Sequence, residues 1–337
     1  MQALQRAGPV AFMAALLREH GVDPRQVSAS SAPAINLDTV QPDDMHPVTA
    51  LLMLLERATV LSGDDLFSLK LAMRYRQHDH GIIHKMSRIA PTLRQALLDF
   101  AEWQRLYSQA TVVYLNRIGQ DYAFGYGVCA PDLAATRHLY ALSARVGLNF
   151  IEDLTGGAVR PVEVHLCVNA PKDVTAFRSY FNCPVLFNQS QSCIILSARD
   201  IDWPMPHFSP SARETVRKEL ESQAQTQCRM TWRVQRVIRP QLLLEDPSMK
   251  STAAALGYHP RTLRRALAAE GTDFETIRDE VRNAVACELL AITQLSIGEI
   301  SAVLAFSSHA AFVRAFQRWN GITPSAWRAQ RSLEQPS

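Results

Sequence analysis

Leu256-Gly257-Tyr258-His259-Pro260-Arg261-Thr262-Leu263-Arg264-Arg265-Ala266-Leu267 is the most informative stretch of the chain. Its spacing predicts a helix over Thr252–Leu256, a turn at Gly257-Tyr258-His259 and a second helix over Pro260–Glu270. Pro260 suits the first turn of a helix, where its missing N–H costs nothing. Leu263 and Leu267 form the inward edge, so Arg261, Arg264 and Arg265, at i, i+3 and i+4, make one cationic face. A rigid rod behind a tight turn, offering planar donor forks to phosphates and guanine edges, is what a recognition helix in a DNA major groove requires.

The same plan returns further along. Ile297, Ile300 and Leu304 share one helical face, Phe306-Ser307-Ser308 makes a turn, and His309–Trp319 follows. There Phe312 and Phe316 face inward, leaving His309, Ala310, Val313, Arg314 and Gln317 to point out. Between the two units Phe274–Ile292 reads as a helical strut. At 1.5 Å per residue, ~20 helical residues span about 30 Å, close to the ~34 Å between successive major-groove faces of B-DNA. Three arginines on one helix are more often a solvated surface, but two units joined by a strut of matched length are far harder to reach by accident.

At these residues the chain resembles the AraC/XylS-type DNA-binding domain. Leu256–Leu267 with Glu270-Gly271-Thr272-Asp273-Phe274 matches its first half. Ile297-Gly298-Glu299-Ile300, Leu304-Ala305-Phe306, Ala311–Phe316 and Trp319-Asn320-Gly321-Ile322-Thr323-Pro324-Ser325-Ala326-Trp327-Arg328 match its second half and signature. The resemblance implies base-reading roles for Arg261, Arg264 and Arg265 in the first unit, and for His309, Ala310, Val313 and Arg314 in the second. It also implies activation of transcription by contact with RNA polymerase. Three departures stand out. His259 replaces the Ser or Thr that normally caps the first recognition helix, which is expected to weaken that cap by up to ~1 kcal/mol. Ala305 replaces the customary Gly before Phe306, a strained choice if that turn needs positive φ. Ala310 and Val313 are apolar where polar readers are often found, and remain able to contact a thymine methyl.

Positive charge gathers in the same region. The net charge is only +3, yet residues 229–337 hold 14 Lys and Arg against 10 Asp and Glu, while residues 1–228 hold 21 against 22. Lys250 is the one Lys among those 14.

Upstream, Trp203-Pro204-Met205-Pro206-His207-Phe208-Ser209-Pro210 breaks the pattern and reads as the domain boundary. A long polar helix over Ala212–Leu244, kinked or interrupted at Pro240, is expected to couple the halves. The expected division is an effector-binding and dimerisation domain at 1–205, a linker and coupling helix at 206–232, and a DNA-binding domain at 233–337.

The first ~110 residues read as helices near Val10–Glu19, Val48–Thr59, Asp64–Tyr75 and Thr92–Tyr107. Thr111–Arg117 and Tyr122–Val128 then read as a hairpin, Pro131–Phe150 as a helix and Glu163–Asn169 as a half-buried strand. A short helix is expected near Val174–Phe181, and a second hairpin from Pro184–Phe187 with Ser192–Leu196. The fold class is therefore an α+β N-terminal effector domain, a small mainly antiparallel sheet with helices, plus an all-α C-terminal domain with two helix-turn-helix units. Ala90-Pro91-Thr92-Leu93-Arg94-Gln95-Ala96-Leu97 and Tyr180-Phe181-Asn182-Cys183-Pro184-Val185 resemble, more loosely, the arabinose-binding-like ligand domain of one branch of the same regulators.

At 337 residues, with 47 % apolar and 20 % charged content, the chain suits two folded domains rather than a disordered polymer. Its longest apolar runs, such as Ala50–Leu55, fall far short of the ~20 residues that span a bilayer, and no signal-peptide pattern opens it. A soluble, cytoplasmic protein without a membrane partner is expected. The six cysteines form no C-x-x-C pair and read as buried thiols. No G-x-S-x-G elbow, Gly-rich phosphate loop or H-E-x-x-H occurs, so no catalytic residue, metal or cofactor is assigned. His78-Asp79-His80 with His84 has a metal-like spacing, but a solvated or structural role is favoured. An effector pocket is expected around Trp103, Tyr107, Tyr122, Phe124 and Tyr126. The expected partners are double-stranded DNA, a small-molecule effector, RNA polymerase and a second copy of the chain. The alternatives are an N-terminal enzyme or metal-sensing module with DNA binding secondary, and an N-terminal half that only dimerises.

Overall fold

The computed structural model describes residues 3–29, 31, 33–76, 80–129, 137–224 and 229–334. A short antiparallel pair, β1 (Leu4–Arg6) and β2 (Met45–Pro47), brackets α1 (Met13–Glu19) and α2 (Pro24–Ser28). Next come α3 (Val48–Ser62), α4 (Phe67–Arg74), α5 (Gly81–Arg88) and α6 (Leu93–Trp103). Thr92 caps α6 by accepting the Gln95 N–H, and Pro91 precedes the cap, as the sequence pattern requires. The sequence reading contains neither α2 and α5 nor the β1–β2 pair.

The main sheet has five strands in the order β3-β4-β7-β5-β6: β3 (Thr111–Ile118), β4 (Asp121–Val128), β5 (Glu163–His165), β6 (Val185–Leu186) and β7 (Ser192–Leu196). The β3–β4 hairpin turns at Gly119-Gln120, with Gly119 in the left-handed region at φ 59°. The expected second hairpin does not form. β7 instead inserts between β4 and β5, and β6 pairs in parallel with β5 at the edge. Two-residue β6 offers too short a run for periodicity to fix its partner. Against the sheet lies α7 (Arg137–Thr155), whose fully buried Tyr140, Leu148 and Phe150 join the core. A short α8 (Val174–Arg178) follows β5.

The expected single helix over Ala212–Leu244 is replaced by α9 (Pro210–Ala224) and α10 (Met230–Gln241); residues 225–228 lie outside the described residues. Pro240 sits inside the last turn of α10, which ends one residue later at Gln241. The remaining helices are α11 (Met249–Ala255), α12 (Pro260–Ala269), α13 (Phe274–Ile292), α14 (Ile297–Val303), α15 (His309–Asn320) and α16 (Pro324–Glu334). One apolar cluster runs without a break from Val164 and Ile194 in the sheet, through Ile238, to Val285, Phe312 and Phe316. Among the described residues no helix is long and apolar enough to cross a membrane.

Candidate nucleic-acid interface and ligand cavity

The first helix-turn-helix is α11–α12. Gly257 supplies the left-handed step at φ 73°, and a side chain there would meet nothing within 4 Å, so the demand is purely on the backbone. His259 is the N-cap of α12, its Nδ1 accepting the Arg261 N–H at 3.2 Å. The imidazole thus takes the N-cap position that Ser or Thr would, accepting one N–H of the first turn. Leu263 and Leu267 are fully buried; Arg261, Arg264 and Arg265 are exposed.

The second unit is α14–α15. Ser296 and Glu299 form a reciprocal capping box on α14, and Ser308 caps α15 by accepting the Ala311 N–H at 3.2 Å. Ala305 adopts φ 55°, the positive value that its place in the turn demands. Phe312 and Phe316 are buried, the first against Phe306 and the second against Trp327. His309, Ala310, Arg314 and Gln317 are exposed, and Val313 is half-buried. The strut α13 has 19 residues, about 28 Å at 1.5 Å each. Asp273 caps its start through the Thr276 N–H at 2.8 Å. Arg328 of the carboxy-terminal signature holds the other end, donating to the carbonyls of Leu290 (3.3 Å) and Leu295 (2.7 Å).

Nine of the 13 arginines from Arg229 onward are engaged within the protein. Arg229 pairs with Glu270, Arg239 with Glu288, Arg278 with Glu275, Arg282 with Asp246 and Arg318 with Asp279. Arg233 donates to Tyr258, Arg236 to Gln104 and the Thr111 carbonyl, Arg328 to the strut, and Arg331 lies over Trp327. The four with no partner among the described residues are Arg261, Arg264, Arg265 and Arg314. They stand on the exposed faces of α12 and α15, the second helix of each unit. Among the described residues nothing consumes their donors, which leaves the forks available for phosphates and base edges.

A cavity of about 150 Å³ lies between α7, the sheet and the segment carrying β1. Phe100, Phe124, Phe150 and Tyr140 supply much of its wall. Of the residues expected at an effector pocket, Tyr107, Phe124 and Tyr126 line it; Trp103 and Tyr122 do not. Trp103 packs with Ile83, Met86 and Leu220. Tyr122, nearer the hairpin turn, accepts a 2.6 Å bond from Arg94, which is itself paired with Asp202. Sequence reasoning missed Arg6, His80 and Tyr140, which line the cavity from three distant segments without any shared motif. Arg6 is buried, pairs with the exposed Asp43 and stacks on Tyr107 at 3.8 Å. Burial, with the charges of His84 and Arg6 nearby, pushes the His80 imidazole down to about 3, so it is neutral at physiological pH.

His78 and Asp79 of the histidine cluster lie outside the described residues. His80 and His84 are buried edge-on to Phe150, and no group of three or more His, Cys, Asp or Glu among the described residues is placed to hold a metal ion.

Behind the cavity a buried ion pair of the C-terminal half sits against the sheet of the N-terminal half. Arg239 of α10 reaches Glu288 of α13 at 3.0 Å and donates to the Val128 carbonyl of β4 at 3.2 Å. A Cβ at Gly127 would come within 3.2 Å of the Arg239 side chain, so any larger residue there has to displace that guanidinium by a few tenths of an ångström. Burial pushes the Glu288 carboxyl up while the guanidinium opposes it, and the Tyr140 phenol lies beside it. Backbone bonds from Asn169 to Ile292 and from Gln294 to the Asn188 side chain tie the end of the strut to the loops flanking β5 and β6.

Comparison with known proteins matches two stretches of the chain. Residues 13–205 match the family described as the arabinose-binding domain of AraC transcription regulator, N-terminal, and residues 225–330 match a helix-turn-helix domain. The HTH-type transcriptional regulator VirS of Mycobacterium tuberculosis is 28 % identical over 325 residues, covering 93 % of each chain. The ornithine utilization regulator of Pseudomonas aeruginosa is 25 % identical over 338 residues, covering 95 % of this chain and 96 % of that one. The crystal structure of the transcriptional regulator CdpR from P. aeruginosa aligns over 94 % of this chain and 96 % of that one, at 22 % identity and a TM-score of 0.44. With both halves matched in order and the relatives spanning nearly the whole chain, the protein belongs to the AraC family of DNA-binding transcription regulators.

Proposed function

We propose that the protein reads two adjacent major-groove faces of one duplex under the control of a small-molecule effector. The observation that carries this is the set of four unengaged arginines, all on the second helices of the two units. Arg261, Arg264 and Arg265 read the first groove, with the strongest sequence-specific hydrogen bonds. His309, Ala310, Val313, Arg314 and Gln317 enter the second, about one helical turn along the DNA. Residues 1–205 bind the effector and a second protomer, 206–232 link and couple, and 233–337 bind DNA. The regulator works in the cytoplasm as an activator that contacts RNA polymerase, as its family resemblance implies. The 150 Å³ cavity is the effector site, with Tyr107, Phe124 and Tyr126 in its wall. Its alternative as an enzyme or metal sensor finds no support in its family.

Coupling runs through Tyr140, which lines the cavity and lies beside the Arg239–Glu288 pair that seats the strut on the sheet. An effector that binds one seating of the strut more tightly than another shifts the population by that difference.

Replacing Arg264 with Ala tests the reading. Gel-shift titration on the cognate site is expected to show a loss of about 1–3 kcal/mol and relaxed selectivity at one base pair. Binding is expected to weaken steeply with salt, as counterion release requires. Unchanged affinity in the variant, or a flat salt response, overturns the assignment.

A further inference from the structure

We infer that the effector is a compact apolar monocarboxylate, a single ring or short branched chain of roughly six to ten non-hydrogen atoms, whose carboxylate is taken by Arg6 in exchange for Asp43. This rests on reading the cavity as the effector site.

Size comes first. A cavity of about 150 Å³ is that of a void that holds one benzene-sized ring, too small for a dinucleotide or a long acyl chain. Its wall is dominated by rings and aliphatic groups, among them Phe100, Phe124, Phe150 and Ile194. Its polar side chains are largely satisfied already, Gln104 with Thr111, Ser108 with Gln5 and Ser192 with Cys167, so the four hydroxyls of a free pentose would be buried with few partners left, which is costly. The family description names arabinose, but these side chains favour an apolar body.

Charge comes second. Among the described lining residues Arg6 is the one permanent charge; no Asp, Glu or Lys lines the cavity. His80 is neutral at physiological pH. An ammonium group would therefore meet a cation and no counter-ion, which excludes an amino acid held by its amine. A carboxylate meets a guanidinium that is already buried and oriented by stacking on Tyr107. Arg6 now pairs with Asp43, whose side chain is 81 % exposed. That aspartate returns to water at little cost, so a ligand carboxylate can displace it without stranding a buried charge.

The test uses the full chain and isothermal titration with benzoate, cyclohexanecarboxylate, benzamide and L-arabinose. One equivalent of either carboxylate is expected to bind, with benzamide weaker than benzoate by about tenfold or more. Asp43→Asn removes the competitor on the surface and is expected to tighten benzoate about three- to tenfold while leaving benzamide unchanged. Arg6→Gln is expected to abolish the preference for benzoate over benzamide. Equal binding of benzoate and benzamide, no binding of either carboxylate, binding of L-arabinose in their place, or an Asp43→Asn variant with unchanged benzoate affinity overturns the inference. Gel-shift titration of the same preparations separates the two readings. Failure of both carboxylates with operator binding intact sinks the ligand class alone. Carboxylates that bind without altering operator affinity sink the effector reading of the cavity.

Discussion

Ala305→Gly is expected to make the protein more stable, against the usual direction for a glycine substitution. Ala305 sits at φ 55° in the turn between α14 and α15, where its Cβ crowds the following carbonyl. A left-handed residue with a Cβ costs roughly 1–2 kcal/mol, and glycine would relieve it. The greater freedom of glycine in the unfolded chain removes roughly 0.5–1 kcal/mol of that gain. The expected net is a stabilisation of about 0.5–1 kcal/mol. The first unit supplies the control, because Gly257 holds the corresponding turn position at φ 73° with open space around it. Gly257→Ala should therefore destabilise by a similar amount through the backbone alone. Urea unfolding followed by circular dichroism reads both, as opposite shifts of the midpoint by a few tenths of a molar at constant slope. An Ala305→Gly variant that is neutral or weaker, beside a destabilised Gly257→Ala, would refute the strain argument. It would mean that packing of the alanine methyl outweighs its backbone conformation.

Acid should weaken the fold through two histidines. Burial pushes His80 down to about 3 and His138 to about 4, whereas an unfolded imidazole protonates near 6.5. Between those values the unfolded chain binds the extra protons, so stability is complete above about pH 6.5 and falls by about 1.4 kcal/mol per unit per imidazole as pH drops toward 4. Thermal midpoints that stay level from pH 7 to pH 4.5 contradict this, and His80→Phe should reduce the slope. Glu288→Ala should cost about 3–5 kcal/mol by leaving Arg239 buried and unpaired, while Arg239→Met combined with Glu288→Leu should recover most of that loss. A double variant weaker than the single one argues against the ion-pair account.

The C-terminal half was legible because its signals are local. Pro260, Asp273, Ser296 and Ser308 mark helix starts within a residue or two, and α13 runs over Phe274–Ile292, the stretch read as the strut. Ala305 could be flagged as strained because the turn chemistry alone demands a positive φ. The cap at His259 was harder to read because a ring nitrogen is a rarer cap than a hydroxyl, though it accepts an N–H of the first turn in the same way. In the N-terminal half the eight-residue strands β3 and β4 declared themselves, while β5, β6 and β7 are too short for alternation to choose a partner. The cavity was half visible. Phe124 and Tyr126 alternate along one strand, but Arg6, His80 and Tyr140 come from β1, the start of α5 and α7, and only tertiary packing brings them together. Glu288 looks in sequence like any charge on a solvated helix face, and its partner stands 49 residues away.

The buried pair explains why one fold can serve both reading and sensing. The spacing of the two helix-turn-helix units is set by α13, and α13 carries Glu288 about one turn before its C-terminal end at Ile292, the end that leads into α14. On the coupling proposed above, a ligand pressing on Tyr140 acts on that end of the strut, on the side of the second unit. Arg239 meets the backbone of β4 at Val128 and passes Gly127 at a distance that admits no Cβ without displacement. Gly127→Ala would push on that guanidinium from the sheet side and so tests the coupling proposed for the cavity. If typical coupling of 1–3 kcal/mol applies, the swing in operator affinity is about 5- to 150-fold. A Gly127→Ala variant should then bind the operator with an affinity that no longer responds to effector. An intact response in that variant would place the coupling elsewhere than at Arg239 and Glu288.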